Sequence, residues 1–211
     1  MQNLLNSQPF PSLIRSRQLT VAHCGPASIQ MLLSFLGHEV DQNQIVQSAN
    51  ASDKLLTHGT TLNDFSLAIN NLFPQLQFWY KYNASMADLS AIINDFQYPV
   101  GVEWQGVFDY PDDEEEDVTD YGEEDDDPGH YGVITYINTL ENILLIADPE
   151  RHYAGTDRRF SILQFERRWW DINEITDPQT FKKQEVDDYH AMFIITPKDV
   201  TFPDQLHMIK G

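Results

Sequence analysis

Residues 18–37, QLTVAHCGPASIQMLLSFLG, contain the only cysteine of the 211-residue chain, directly before a pattern typical of a buried helix. Pro26 suits the first turn of a helix, and Gly37 is the residue type that commonly follows a helix end. The apolar residues between them recur at intervals of three and four and form one face: Ile29, Leu32, Leu33 and Leu36. The pattern therefore predicts a core helix that begins at Cys24.

Cys24 lies at the predicted N-terminus of this helix. Unpaired backbone N–H groups and the positive end of the helix dipole favour a thiolate over a thiol there. Gln18, six residues upstream, is a candidate donor to an oxyanion, together with the backbone N–H of Cys24. The alternative is a small buried hydrophobic residue, which is the more common role of a free cysteine. Cys24 is therefore a candidate nucleophile if a base lies nearby.

A candidate base is found in residues 129–149, GHYGVITYINTLENILLIADP, which predict a β-hairpin. Two β-branched, apolar segments, 131–137 and 143–147, flank a turn-type linker. Facing residues of an antiparallel hairpin have a constant index sum, and His130 with Asp148 comes close to the sum for a loop centred on Leu140. We expect the two side chains to lie side by side, with the carboxylate fixing the tautomer of the imidazole that accepts the thiol proton.

Together these residues resemble the papain-like cysteine peptidases. The resemblance rests on four elements: Gln18, CGPAS at 24–28, GHY at 129–131 and ADP at 147–149. More narrowly, the pattern is similar to the branch that contains the leader-processing peptidases of bacteriocin exporters and their stand-alone relatives, in which Asp replaces the Asn of papain. The resemblance implies a bacterial thiol hydrolase with a triad of Cys24, His130 and Asp148, and with Gln18 as oxyanion donor.

Helical patterns dominate the first half of the chain and strand patterns the second. Residues 51–59 are polar and small and are predicted to form a loop. Further helices are expected to begin after four capping residues: Asp41, Thr61, Ser85 and Ser161. Further strands are expected at 76–82, 98–104 and 190–196. Helices segregated from an antiparallel sheet define the α+β class. The resemblance implies its papain-like form, with the N-terminal helical half packed against a C-terminal antiparallel sheet.

We expect a single papain-like domain over residues 18–196, with an N-terminal extension at 1–17 and a C-terminal tail at 197–211. The first segment lacks the continuous apolar region of a secretory signal, and the chain has no apolar run long enough for a membrane span. A lone cysteine forms no intramolecular disulfide, which fits a reducing compartment. Cytoplasmic localisation is the default expectation, and signal-independent secretion is the alternative.

Residues 109–127, DYPDDEEEDVTDYGEEDDD, form an acidic insertion with 13 Asp or Glu and no Lys or Arg. The whole chain has 33 acidic and 13 basic residues, so most of its formal charge of −20 comes from this segment. We expect a solvated loop beside the cleft, because a dense block of like charge cannot bury itself. The alternatives are recruitment of a basic peptide and loose binding of calcium. The charge and the lack of a basic stripe disfavour a nucleic-acid partner.

The remaining histidines are not expected to bind metal. His23 adjoins Cys24 and is expected to line the cleft rather than to act as the base. The others lack Cys or His partners at the spacing of zinc ligands: His38, His58, His152, His190 and His207. The chain also lacks a Gly-rich phosphate-binding loop, so we expect neither a metal nor another cofactor.

The sequence therefore predicts a thiol-dependent hydrolase. The first hypothesis is a cysteine peptidase that acts on a peptide or protein substrate. The second is a papain-like acyltransferase, transglutaminase or deamidase, including a secreted effector, because an amine or water can resolve the same thioester. The third is a binding module that keeps the scaffold without the chemistry. The residues leave all three hypotheses open and carry no signal for the oligomeric state.

Overall fold

The computed structural model describes residues 9–108, 129–176 and 183–211. The helices of this part are α1 (Cys24–Phe35), α2 (Gln42–Ser48), α3 (Leu55–His58), α4 (Leu62–Leu72), α5 (Met86–Ser90) and α6 (Ile162–Glu166). A π-helical turn, Ala91–Asp95, continues α5, and a 3-10 turn spans Asp204–Leu206. The strands are β1 (Leu76–Lys81), β2 (Val100–Gln105), β3 (Gly129–Asn138), β4 (Ile143–Ala147), β5 (Asp157–Phe160), β6 (Trp170–Thr176), β7 (Lys183–Tyr189), β8 (Met192–Pro197) and β9 (Ile209–Lys210).

Seven strands form one sheet in the order β5-β4-β3-β2-β8-β1-β9, and β6 pairs with β7 in a separate ribbon. Every pair in these two sheets is antiparallel. Five of the six helices precede β2, so helices and strands are segregated along the chain. The predicted α+β class and the segregation of its elements are confirmed.

Two apolar cores cover the two faces of the large sheet. Successive residues of β3 point to opposite faces, so Val133 joins the first core and Ile134 the second. The first core also contains residues of α1, α2 and α4: Ile29, Leu33, Ile45, Phe65 and Ile69. The second core contains aromatic residues from β2, α6 and the loop that follows α6: Trp104, Phe165 and Trp169. Helix α1 therefore packs against β3, and this contact places Cys24 opposite the hairpin.

The ends of α1 follow from its sequence. A side chain at Gly25 would collide with Thr60 and with the ring of Phe65, so only glycine lets this end of α1 approach the start of α4. Gly37 has a φ of +80°, the left-handed conformation expected just past a helix end. The predicted helix thus begins and ends close to the expected positions.

The other helices confirm the four capping signals. Capping boxes are present at all four of the predicted positions: Asp41, Thr61, Ser85 and Ser161. The prediction of a loop over residues 51–59 is wrong in part, because α3 lies within it. That single turn has no side-chain cap, and the burial of Leu55 holds it against the first core.

Residues 9–17 and 197–211 both contact the body of the fold. Leu13 is buried in the first core, and Arg15 forms an ion pair with Asp157 of β5 at 2.9 Å, with both side chains 5% exposed. At the other end, β9 pairs with β1 at the edge of the sheet. The domain boundaries at residues 18 and 196 remain predictions.

Strands β5, β6, β7 and β9 were not predicted. In the described ranges, no helix combines the length and apolar character that crossing a membrane requires. The acidic insertion at 109–127 lies outside the described residues, so the expectation of a solvated loop remains a prediction.

Candidate active site

Cys24 is the first residue of α1 and is partly exposed. Its sulfur interacts with the backbone N–H groups of Gly25 and Tyr131 and with the side chain of His130. The first N–H comes from the helix itself and the second from β3, so the sulfur lies where the two elements meet. Backbone donors of this kind favour a thiolate.

The register of the hairpin brings His130 and Asp148 together. Strands β3 and β4 pair Val133 with Ala147 and Ile134 with Ile146. In both pairs the two residue numbers add up to the sum predicted for a loop centred on Leu140. His130 and Asp148 follow at the open end, where the imidazole Nε2 lies 2.9 Å from the carboxylate Oδ1. The juxtaposition expected from the sequence is therefore present. It leaves Nδ1 as the ring nitrogen available to Cys24.

The imidazole of His130 is enclosed by aromatic rings. The ring of Phe108 lies edge-on at 5.1 Å between centroids, and that of Trp104, its partner residue on β2, at 6.5 Å. Burial alone would lower the pKa of His130, but the charge and hydrogen bond of Asp148, together with Cys24, raise it to about 10. The imidazole is therefore charged at neutral pH.

The pKa of the Cys24 thiol is shifted in the opposite direction to that of His130. Burial would raise the pKa of Cys24, but the hydrogen bond and charge of His130 and the N–H groups of Tyr131 and Gly25 lower it below its ordinary value. An acid of lowered pKa beside a base of raised pKa exists as an ion pair over the range between the two values. The resting state that this geometry favours is a thiolate–imidazolium pair.

Asp148 is fully enclosed, and both of its carboxylate oxygens are occupied. Oδ1 accepts from His130 and from the backbone N–H of Glu150 at 2.9 Å, and Oδ2 accepts from Arg158 Nη1 at 2.6 Å. Burial would raise the pKa of Asp148, but His130, the Glu150 N–H and Arg158 lower it to about 2. The carboxylate is therefore charged and fixed in orientation.

Arg158 is the residue at this site that sequence reasoning missed. Its Nη2 donates to the backbone carbonyl of Val107 at 2.6 Å, and its guanidinium lies 3.5 Å above the ring of Tyr153. It reaches Asp148 because β5 pairs with β4, with Arg158 opposite Ile146. Strand β5 is the polar segment DRRF, which has no apolar alternation to reveal it, so the pairing had no sequence signal.

Gln18 lies at the same end of the sheet as Asp148. Its backbone N–H donates to the carbonyl of Pro149 at 2.8 Å. Its side-chain Nε2 lies 3.4 Å from the carbonyl of Val21, in the loop that leads to Cys24. The Oε1 atom is buried and has no hydrogen-bond partner among the described residues. The structure thus places the backbone of Gln18 against the residue after Asp148 and its side-chain amide against the loop before α1.

His23, directly before Cys24, is 5% exposed. Its Nδ1 lies 2.6 Å from Thr20 Oγ1, and its backbone N–H donates to the carbonyl of Thr20. These contacts brace the loop that enters α1. His130, and not His23, is the histidine that interacts with Cys24.

A second buried acidic group lies behind Tyr131 and was also missed. Glu103 faces Tyr131 across the β2–β3 pair and is hydrogen-bonded to it and to Asp171. Gln105 Nε2 donates to Asp171 Oδ1 at 2.9 Å. Burial and the nearby Asp171 raise the pKa of Glu103 well above its ordinary value, and burial raises that of Asp171 to about 6. Both shifts favour protonation of this pair of carboxyl groups.

The described ranges contain no group of three His, Cys, Asp or Glu side chains arranged to hold an ion. The geometry instead places a thiol, an imidazole and a carboxylate in line. A cysteine at the start of a helix that packs on an antiparallel sheet, opposite a His–Asp pair on that sheet, is the architecture of the papain-like cysteine peptidases.

Within that class, the chain belongs to the Peptidase_C39-like family, whose family model matches residues 11–176. No curated protein matches the chain. The solved peptidase domain of Streptococcus ComA, a bifunctional ABC transporter involved in a quorum-sensing pathway, is similar with a TM-score of 0.56 and 17% identity. That match covers 87% of this chain and 97% of the other.

Two further solved structures are similar. A C39-like peptidase from Bacillus anthracis has a TM-score of 0.52 and 15% identity, over 89% of this chain and 97% of that one. A double-glycine motif protease from an AMS/PCAT transporter, solved in complex with the leader peptide, has a TM-score of 0.48 and 16% identity, over 86% and 89%. The last likeness is too low to carry an argument. The other two show the fold.

Proposed function

We propose that the protein is a cysteine peptidase in which Cys24, His130 and Asp148 form the catalytic triad. The observation that carries the proposal is the continuous polar chain from the sulfur of Cys24 through the imidazole of His130 to the carboxylate of Asp148. Each group is held in the protonation state that its role requires, since the pKa of the thiol is lowered and that of the imidazole is raised to about 10.

The reaction follows from this resting state. The thiolate of Cys24 attacks the carbonyl carbon of a peptide bond, a C–S bond forms, and the carbonyl oxygen takes the electron pair. The imidazolium of His130 gives its Nδ1 proton to the leaving nitrogen as the C–N bond breaks, which leaves a thioester. His130 then accepts a proton from water, whose oxygen attacks the thioester. The acid product leaves, and the thiolate is restored.

Asp148 orients the imidazole through both protonation states. Its Oδ1 accepts from Nε2 at 2.9 Å, and because this carboxylate is buried, the bond is worth more than it would be in water. The bond holds Nδ1 toward the sulfur when the ring is charged and when it is neutral.

The oxyanion of the tetrahedral intermediate needs donors on the N-terminal side of α1. The backbone N–H of Cys24 is one, and the side-chain amide of Gln18 is the other. Gln18 is available for this role because its backbone is tied to Pro149 while its side chain lies beside the loop before Cys24. Loss of one oxyanion donor typically lowers kcat by about 10²–10³-fold.

The test begins with labelling of the thiol. Cys24→Ala is expected to abolish reaction with a thiol-directed electrophile at pH 6, and His130→Ala to slow it strongly, while circular dichroism shows both folded. His58→Ala, at an exposed histidine of α3, is the matched control and is expected to react like the parent protein. Normal reactivity of His130→Ala would refute the triad.

The reaction type is tested separately by mass spectrometry of a peptide library incubated with the protein. Cleavage at a peptide bond supports the peptidase. A shift of about 1 Da or a cross-link would instead support a deamidase or a transglutaminase that uses the same thioester. A labelled thiol without any product would favour a binding module. Libraries with basic and with neutral peptides also test the alternative that the acidic insertion recruits basic substrates.

A further inference from the structure

Gln42 is the first residue of α2 and is 4% exposed, although it is polar and follows the helix cap. Its side chain points to the segment that carries Gln18. Gln42 Oε1 accepts from the backbone N–H of Leu19 at 3.0 Å, and Gln42 Nε2 donates to the backbone carbonyl of Arg17 at 2.8 Å. One amide group therefore bonds the backbone on both sides of Gln18.

These contacts reproduce the pairing of a β-strand. In an extended chain the carbonyl of one residue and the N–H of the second residue after it point to the same side, and the groups of the residue between them point to the other. The amide of Gln42 occupies the first side. The N–H of Gln18 itself donates to Pro149 on the second side, at 2.8 Å. Gln18 is thus held from both edges, as a central strand residue would be.

The amide is itself fixed. Its second N–H donates to Gln30 Oε1 at 3.0 Å, and Gln30 Nε2 donates to the carbonyl of Val40 at 2.6 Å. Both Nε2 protons of Gln42 therefore donate to acceptors, and Oε1 accepts from a donor. Because a carbonyl can only accept and a backbone N–H can only donate, these partners fix which atom of the amide is nitrogen and which is oxygen. A carboxylate cannot donate to the two acceptors, and an apolar side chain would leave three partly buried groups unpaired.

We infer that Gln42 is a positioning residue for the oxyanion donor, holding the backbone of Gln18 so that its side chain stays beside the loop that leads to Cys24. The inference rests on the proposed role of Gln18 in the reaction. Gln42 touches neither the substrate nor the reacting atoms. Its effect is transmitted through two backbone hydrogen bonds, and a displacement of about 1 Å in a catalytic group is enough to lower a rate by about 10²-fold.

The main variant is Gln42→Glu, which keeps the size of the side chain and removes its donors. Gln44→Glu is the matched control, since it makes the same change two residues along α2, where the side chain is exposed and only caps the helix. We expect Gln42→Glu to lower kcat by about 10–10²-fold with little change in KM. The rate at which iodoacetamide alkylates Cys24 should stay within about twofold, because that reaction needs no oxyanion donor.

A double-mutant cycle with Gln18→Ala separates positioning from general destabilisation. If Gln42 acts through Gln18, the double variant should lose no more activity than Gln18→Ala alone. Losses that multiply, or an unchanged kcat in folded Gln42→Glu, would overturn the inference. Should Gln42→Glu fail to fold, Gln42→Asn provides the same comparison, because the shorter amide cannot reach both backbone groups.

The cycle also distinguishes this inference from the proposed function. If Gln18→Ala leaves turnover intact, the oxyanion role of Gln18 fails, and the inference fails with it. If Gln18→Ala lowers kcat but folded Gln42→Glu does not, only the inference is wrong.

Discussion

Substitution of Arg158 by methionine keeps most of the length of the side chain but removes the guanidinium that holds Asp148. The contact from Nη1 to Oδ2 is 2.6 Å, and the two side chains are 14% and 0% exposed. Removing one partner of a buried ion pair costs about 3–5 kcal/mol. Because Asp148 keeps its bonds to His130 and Glu150, we expect the lower end of this range at pH 7.

The pKa of Asp148 gives an independent check on that magnitude. A fall from 3.8 to about 2 corresponds to about 2 kcal/mol of net stabilisation of the charged form, which remains after its partners have offset the cost of burial. Arg158 supplies part of it, and the carbonyl of Val107, left unpaired in the variant, adds a penalty of about 1–3 kcal/mol. The sum is again near 3 kcal/mol.

The sign of the pH dependence follows from the same shift. Because the folded pKa of Asp148 lies below its ordinary value, its contribution to stability is present above pH 3.8 and is lost as the pH falls toward 2. The difference in unfolding free energy between the parent and Arg158→Met should therefore be largest at neutral pH and shrink near pH 2. Denaturant unfolding at both pH values measures it.

Turnover should fall further than stability alone explains. With Oδ2 released, the Asp148 carboxylate can rotate away from His130, and we expect kcat to fall by about 10–10²-fold in the folded protein. Arg159→Met, at the exposed neighbouring residue, is the matched control. Equal kcat and equal unfolding free energy in the two variants would refute the argument that the guanidinium positions Asp148.

The pH profile of Cys24 alkylation should show a pKa below the ordinary thiol value. Because the pKa of His130 is raised to about 10, the thiolate–imidazolium pair should persist to about that pH. The variant His130→Ala should raise the pKa seen in alkylation. Arg15→Met should lower the unfolding free energy by about 3–5 kcal/mol in urea, since it leaves Asp157 buried without its partner. Deleting residues 109–127 should leave turnover of a neutral peptide unchanged; if the segment recruits basic peptides, the parent's advantage on them should vanish near 1 M salt, where the Debye length is about 3 Å.

The parts of the fold predicted correctly are those with local signals. Capping residues such as Asp41 and Ser85 identify helix starts because the side chain bonds the backbone within the same turn. The hairpin register follows from a short linker and the period of two along each strand. These signals were enough to place His130 beside Asp148, although the residues are 18 positions apart.

Elements that depend on distant partners were missed. Strand β5 reads DRRF, and two of its residues form ion pairs that its sequence does not indicate: Asp157 with Arg15, 142 residues away, and Arg158 with Asp148 on the preceding turn. Gln42 lies 23 residues from Leu19, and nothing near it in sequence marks it as buried. Polar residues that are buried by tertiary pairing look, in the sequence alone, like surface residues.

The pKa values of two buried carboxyl groups, Asp148 and Glu103, depend on the groups with which they are paired. Asp148 and Glu103 are 1% and 4% exposed, and burial by itself would raise the pKa of both carboxyl groups. For Asp148 the positive charges of His130 and Arg158 outweigh burial, and its pKa falls to about 2. For Glu103 the charge of the neighbouring Asp171 adds to the effect of burial, and its pKa rises well above its ordinary value. The charge of a carboxyl group here follows from its partners rather than from its depth.

The charges around Asp148 also affect the thiolate of Cys24 that the proposed reaction needs. In a chain of formal charge −20, a thiolate needs local positive charge to exist at neutral pH. The order of groups along the site, Cys24, His130, Asp148 and Arg158, alternates in sign, so each charge has an opposite neighbour and the four together are neutral. Removing Arg158 would leave this site with a net negative charge. The arginine therefore balances the carboxylate that the imidazolium needs, and so supports the thiolate at the far end of the chain.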